Sequence, residues 1–262
     1  MSLVTCPGIL LRSHPYSESS RILRFLTPGH GIVSLVGRGV RKRGSQGKGA
    51  PDTFGRGTLV FSHRSDRDLH TLRDFTPRGA ALGLGRDLRR FYGASVIAEL
   101  LLVHTLEEED ATLFDWVSEV LDRLGTAPIE EIPGWTLSGA WRTLAQLGFP
   151  PELERCVQCA GPVGREQEGE LDRFDVSAGG LRCPACSSGT ALPRIGPVAR
   201  THLSGLVRGE PIHPLPHGSS HLNLLEGFAL HHVAGRQGFR SIPILKELME
   251  KEAPAGSDQE RM

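Results

Sequence analysis

Gly29-His-Gly-Ile-Val-Ser-Leu-Val-Gly-Arg-Gly-Val-Arg-Lys-Arg43 is the stretch on which the fold reading turns. Thr27-Pro28-Gly29 is a turn signal, because proline presets φ and glycine accepts positive φ. Ile32, Val33, Leu35 and Val36 then form a β-branched apolar run of strand length. Arg38, Arg41, Lys42 and Arg43 follow, spaced by Gly37, Gly39 and Gly44. A buried strand therefore leads into a flexible cationic loop. Such a loop suits a polyanion, since glycine lets the backbone approach and guanidinium groups fork onto phosphate oxygens.

Working outward, the neighbouring segments also read as short strands: 3–13, 20–27, 31–40, 57–63 and 69–75. Pro7-Gly8 marks an expected irregularity in the first. Segment 41–57 is rich in Gly, Lys and Arg and reads as a long mobile loop. Five short strands with one long loop before the fourth predict a small closed barrel. The OB-fold is the leading candidate and an SH3-like barrel the alternative.

Past Pro77 the period becomes helical. Segment 82–104 is apolar nearly all round, predicting a buried helix. Segments 111–124 and 135–147 carry apolar faces and stop at Gly125 and Gly148, and Trp116, Trp135 and Trp141 are expected in the core. Helical patterns resume at 197–208, 220–235 and 242–252. The fold class expected is thus α+β and multidomain, with an N-terminal small β-barrel (OB-fold), a central and C-terminal helical bundle and an inserted four-cysteine, zinc-ribbon-like motif. The boundaries are 1–78 for the barrel, 79–150 with 192–253 for the helical domain, 151–191 for the insertion and 254–262 for a disordered tail.

Cys156-Val-Gln-Cys159 and Cys183-Pro-Ala-Cys186 are 23 residues apart. Each CxxC turn offers two thiolates to one ion, and two turns complete the tetrahedral four-sulfur shell that Zn²⁺ accepts. With no open position left for water, one zinc here is structural. Arg155, Arg165 and Arg182 offset thiolate charge, and Leu171–Val176 with Gly179-Gly180 leaves room for a hairpin. Two disulfides are the competing reading, disfavoured in a reducing cytosol. Cys6 is expected in the barrel core. His213, His217, His221, His231 and His232 read as solvated loop histidines. Glu107-Glu-Glu-Asp110 reads as a helix N-terminal cap. There is no G-x-x-x-x-G-K-[ST], G-x-S-x-G or H-E-x-x-H, so neither an ATP site nor a catalytic centre is expected.

The 262 residues carry 30 Lys+Arg and 30 Asp+Glu, a formal charge of zero. That zero hides an asymmetry. Residues 1–90 hold 16 basic and 6 acidic side chains, a net +10, and the remainder holds 14 and 24, a net −10. A basic front on an acidic remainder points to a nucleic-acid-binding module joined to a part with another partner. No run of about 18 apolar residues or signal-peptide h-region occurs, and a cytoplasmic, nucleoid-associated protein without a membrane partner is expected.

Gly8–Arg12, Pro15-Tyr-Ser-Glu-Ser19, Arg21–Thr27 and Gly31–Arg41 resemble the N-terminal motif of the bacterial RecO family. The order of barrel, helices, embedded CxxC…CxxC and closing helices is similar along most of the chain. The resemblance implies binding of single- and double-stranded DNA, annealing of complementary strands without ATP, and no enzymatic activity. It further implies work in the RecF pathway with RecR, to load RecA onto DNA coated by single-strand-binding protein, whose C-terminal tail would dock in the helical part. Arg123, Arg142 and Arg200 are candidate tail contacts. The family's zinc ligands fall at Cys156, Cys159, Cys183 and Cys186. The phosphate track is assigned to Arg38, Arg41, Lys42, Arg43 and Lys48, extended by Arg12, Arg21 and Arg24. An RNA-binding or transcription-associated zinc-ribbon protein with a basic barrel is the alternative.

Overall fold

The computed structural model of the chain describes residues 2–38, 51–64, 66–79, 83–103, 110–164, 171–234 and 238–250. Its first five strands are β1 (Ser2–Pro15), β2 (Arg21–Thr27), β3 (Gly31–Gly37), β4 (Arg56–His63) and β5 (Leu69–Pro77). They close into a barrel of order β1-β2-β3-β5-β4, antiparallel except for the β3–β5 pair. Closure removes the strand edges that an open sheet would leave. Inward alternation gathers Leu10, Leu23, Phe25, Val33, Leu35, Leu59, Phe61 and Phe75 into one core, with Cys6 packed against it.

The expected irregularity at Pro7-Gly8 is not there. Pro7 and Gly8 stay in register with Thr58 and Gly57, and the shift falls between Leu10 and Arg12. Ile9 pairs with both Arg56 and Leu26, so β1 changes partner at this point, and the bulge bends it from one to the other. Gly57 is required: a Cβ there would lie 2.5 Å from Phe75 Cε2 and from the Thr76 carbonyl oxygen.

The helices are α1 (Leu88–Val103), α2 (Ala111–Thr126), α3 (Ile132–Gln146), the single turn α4 (Pro184–Ser187), α5 (Pro197–Arg208), α6 (Gly218–Ala229) and α7 (Ser241–Glu250). A π-helical stretch, Leu230–Ala234, extends α6. Asp110 caps α2 by accepting the Leu113 N–H at 2.8 Å, as the acidic cluster predicts. Residues 107–109 of that cluster lie outside the described residues, as do most of the glycine-rich loop and the expected disordered tail.

The chain divides into two compact units: residues 1–86 with 101–126, and residues 87–100 with 127–262. In the first, α2 buries Leu113, Trp116, Val117, Val120, Leu121 and Leu124. Arg56 reaches from β4 to Asp122 of α2 at 2.9 Å and to the Ser118 carbonyl. In the second, Trp141 of α3 packs on Phe228 of α6 with ring centroids 5.1 Å apart, and Phe174 lies 6.2 Å from Phe228. Trp116 and Trp141 are buried as expected, and Trp135 is half-buried. Among the described residues no helix is long and apolar enough to cross a membrane.

Candidate nucleic-acid interface and metal centre

Strand pairing decides where the predicted cations fall. Arg12 of β1 stands directly opposite Arg24 of β2. Like charges opposed across a ladder repel. Arg12 is exposed, whereas Arg24 is half-buried and donates to the Leu102 carbonyl at 3.4 Å. Burial, and then the Arg12 guanidinium, weaken the hold of Arg24 on its proton. Its Nε is buried without a partner among the described residues. Arg21 is three residues from Arg24 and so has the opposite side-chain parity. It donates from Nε to Ser13 Oγ at 2.6 Å. Arg21 pairs with Gly37, which precedes the exposed Arg38. This end of the β2–β3 ladder is therefore the root of the basic stretch. Arg41, Lys42, Arg43 and Lys48 lie outside the described residues.

The ion pairs in this unit, among the described residues, are Arg56–Asp122 at 2.9 Å and a loose, exposed Arg67–Asp66 pair at 3.9 Å. Neither takes Arg12, Arg21, Arg24 or Arg38. Arg73 is exposed and donates to Ser62 Oγ at 2.7 Å, adding a cation that the sequence reading passed over.

The candidate tail contacts are partly engaged. Arg142 donates to the Arg208 carbonyl at 2.9 Å, and Arg200 lies 4.0 Å from Asp172. Arg123 is exposed on α2.

The four cysteines come together as their spacing predicts. Their sulfurs all lie within 4.8 Å of one another, and Cys159 Sγ is 3.9 Å from Cys183 Sγ. For an ion bound tetrahedrally about 2.3 Å from each thiolate, sulfurs sit about 3.8 Å apart, so the set fits such an ion. In the first turn the Cys156 N–H donates to the Gly161 carbonyl at 2.8 Å, and Ala160, at φ 57, returns a bond to the Cys156 carbonyl. The second turn starts α4, with Pro184 following Cys183. Between them runs a hairpin of β6 (Asp172–Asp175) and β7 (Gly180–Arg182), with β8 (Arg194–Ile195) on its other edge. Gly179 makes the turn at φ +81.

Burial alone would raise the Cys156 thiol, but the backbone N–H groups of Cys183, Cys159 and Gln158 hold it down to about 6. Hydrogen bonding with Cys159 and then Cys183 pushes Cys186 up to about 12. The thiols thus share protons among themselves, and a cation would replace those protons. Arg182, expected to offset thiolate charge, is engaged by Asp175 at 2.5 Å and Gln158 at 2.9 Å. Arg165 lies outside the described residues.

The C-terminal histidines are not all solvated loops. His221 is 7% exposed on α6, and His232 bonds through Nε2 to the Val176 carbonyl at 2.7 Å. Each falls on a helical turn facing the interior, where local Gly and Pro content says nothing about burial. His213, His217 and His231 are exposed.

Among the described residues, a closed barrel with arginines that carboxylates leave free, in one chain with a four-thiol hairpin that could hold an ion, defines a cationic barrel protein suited to polyanions. The family profile described as Recombination protein O N terminal matches residues 1–80, and Recombination protein O C terminal matches residues 85–196. The DNA repair protein RecO of Anaeromyxobacter sp. (strain K) is 32% identical over 257 residues, covering 92% of this chain and 95% of its own. DNA repair protein RecO of Bacillus subtilis (strain 168) is 28% identical over 185 residues, covering 70% and 69%. The chain belongs to the RecO family of DNA repair and recombination proteins.

Proposed function

We propose that this chain binds single- and double-stranded DNA through its barrel and anneals complementary strands without ATP, as a mediator of recombinational repair. Annealing brings two polyanions together, so the protein must screen both. A cationic wall with little base readout does this without catalysis. The observation that carries the reading is that, among the described residues, no carboxylate takes Arg12, Arg21, Arg24 or Arg38, with Arg21 and Arg38 at the root of the basic stretch. Arg41, Lys42, Arg43 and Lys48 continue the track. The barrel is an OB-fold, a reading supported by its closure and its single parallel pair, β3–β5. The four cysteines hold one structural zinc ion, which supplies a crosslink and no chemistry. RecR, RecA and the C-terminal tail of single-strand-binding protein are the partners, and the cytoplasm is the compartment. The functional parts are the barrel 1–78, the helical domain 79–150 with 192–253, and the zinc insertion 151–191.

Salt titration tests the phosphate track. Replacing Arg41, Lys42 and Arg43 by Ala should flatten the log K against log[salt] slope on single strands by about 0.7 for each phosphate no longer neutralised. An unchanged slope would remove those residues from the interface.

A further inference from the structure

Three histidines distant in sequence meet at one end of the barrel. His30 lies in the β2–β3 turn, His63 ends β4, and His70 is the second residue of β5. The His63 and His70 rings are 4.6 Å apart between centroids, and those of His30 and His63 are 5.8 Å apart. Phe61, fully buried beneath them, contacts all three rings at 5.9 to 6.4 Å. His30 and His63 are partly open to solvent, while His70 is only 9% exposed.

Packing alone does not account for this cluster. A barrel end sealed only for stability would use aliphatic side chains, which bury no polar atom. Here Nδ1 of His70 is buried with no partner among the described residues. The rings are not arranged as a metal site either: among the described residues the four cysteines are the metal-type cluster. What the mouth offers is ring faces, on which any base can stack, backed by nitrogens that gain charge below neutrality.

We propose that this histidine-lined mouth contacts unpaired bases and phosphates of single-stranded DNA, and that binding there takes up protons. The inference rests on the DNA-binding reading and adds to it a place, a chemistry and a pH dependence. The charged groups around the mouth are few. The β4–β5 turn brings Arg64, Asp66, Arg67 and Asp68, of which Asp66 and Arg67 form the loose pair. Asp68 favours a proton on His70, but burial and the neighbouring His63 outweigh it, and His30 opposes it too. From β1, the residue opposite His63 is uncharged Ser2, and Arg73 of β5 turns to Ser62. In the free protein His70 is therefore held neutral near pH 7. A phosphate beside the rings tips them toward imidazolium, so affinity rises as pH falls.

The test is fluorescence anisotropy of the full chain with a labelled oligothymidylate at fixed salt from pH 7.5 to 5.5. The wild type should tighten about tenfold over that range if about half a proton is taken up on net, averaged across it. His70→Phe keeps a ring and loses the group that is held neutral in the free protein, so it should lose most of the tightening between pH 7.5 and 5.5. His63→Gln loses a ring and a proton site and should bind more weakly at either pH. A duplex of equal charge, with its bases stacked away, should show no difference between wild type and His70→Phe. Melting curves establish that both variants fold. The same pH dependence in His70→Phe as in wild type overturns the proposal, as does a wild-type affinity flat across the range. Absence of binding to any DNA at any pH would instead sink the DNA-binding reading on which the inference rests.

Discussion

Arg24 shows how a side chain held by the fold can still be left ready for an anion. Its half-burial and its bond to Leu102 fix it in the first unit, and Arg12 across the ladder makes that position electrostatically costly until an anion arrives. His221 carries a residue-scale consequence of a different kind. Burial, then His202 and His217, hold its imidazole below the ordinary value. A histidine with a depressed native pKa resists protonation more in the folded than in the unfolded chain. Its neutral form therefore costs nothing above about pH 6.5, the unfolded value, and stability falls as pH drops from there toward the native pKa. The second unit should melt at a lower temperature at pH 5.5 than at pH 7.5. His221→Phe should remove up to about one proton's worth of that slope. Calorimetry of the two proteins at both pH values checks this, and an equal pH-dependent loss in both would assign the acid sensitivity elsewhere.

At the scale of elements, the four-cysteine hairpin makes the sharpest prediction. Three short strands and a one-turn helix bury little, so an ion held by the four thiolates would carry much of the stability of this element. Chelation, or Cys156→Ser, should reduce bound zinc from about one ion per chain to none. It should also speed hydrogen exchange at Phe174 and Leu181, while the barrel amides keep their protection. Metal uptake must displace protons from at least Cys183 and Cys186, both of which hold them more tightly than a free thiol. Apparent affinity should therefore drop by at least about a hundredfold per pH unit on acidification. Zinc loss without a change at Phe174 would contradict this structural role. The cysteine site was legible because CxxC spacing itself brings two sulfurs together, and the paired spacing does the rest. The strands were legible because alternation and Gly or Pro punctuation are local. The β1 bulge was not, because it follows from a change of partner at Ile9, which sequence neighbours do not record. The histidine mouth was missed for the same reason, since only barrel closure brings residues 30, 63 and 70 together. The half-burial of Arg24 was hidden too, because an outward position on β2 looks solvated until Leu102 is seen beside it.

At the scale of the whole molecule, the sequence places 111–126 with the helices, whereas its packing groups it with the barrel. The two arrangements differ in what Trp116 supports. If α2 is part of the barrel unit, its buried face and the Arg56–Asp122 link brace β2 and β4. Trp116→Ala should then cost about 3–5 kcal/mol, a large part of the about 5–15 kcal/mol that holds a typical domain. That loss should appear first in the barrel. Amides of Phe25 and Leu59 should exchange faster, and Trp141 of α3 should keep its buried fluorescence at temperatures where the barrel has loosened. DNA affinity should fall with the barrel, because the Arg12–Arg24 wall exists only while β1 and β2 stay paired. If α2 instead belongs with the helical part, the same substitution should loosen α3 and leave β2 and β4 protected. Site-resolved hydrogen exchange on the full chain separates the two outcomes. Early exchange in α3 with a protected barrel would mean that the cationic wall stands without its helical brace.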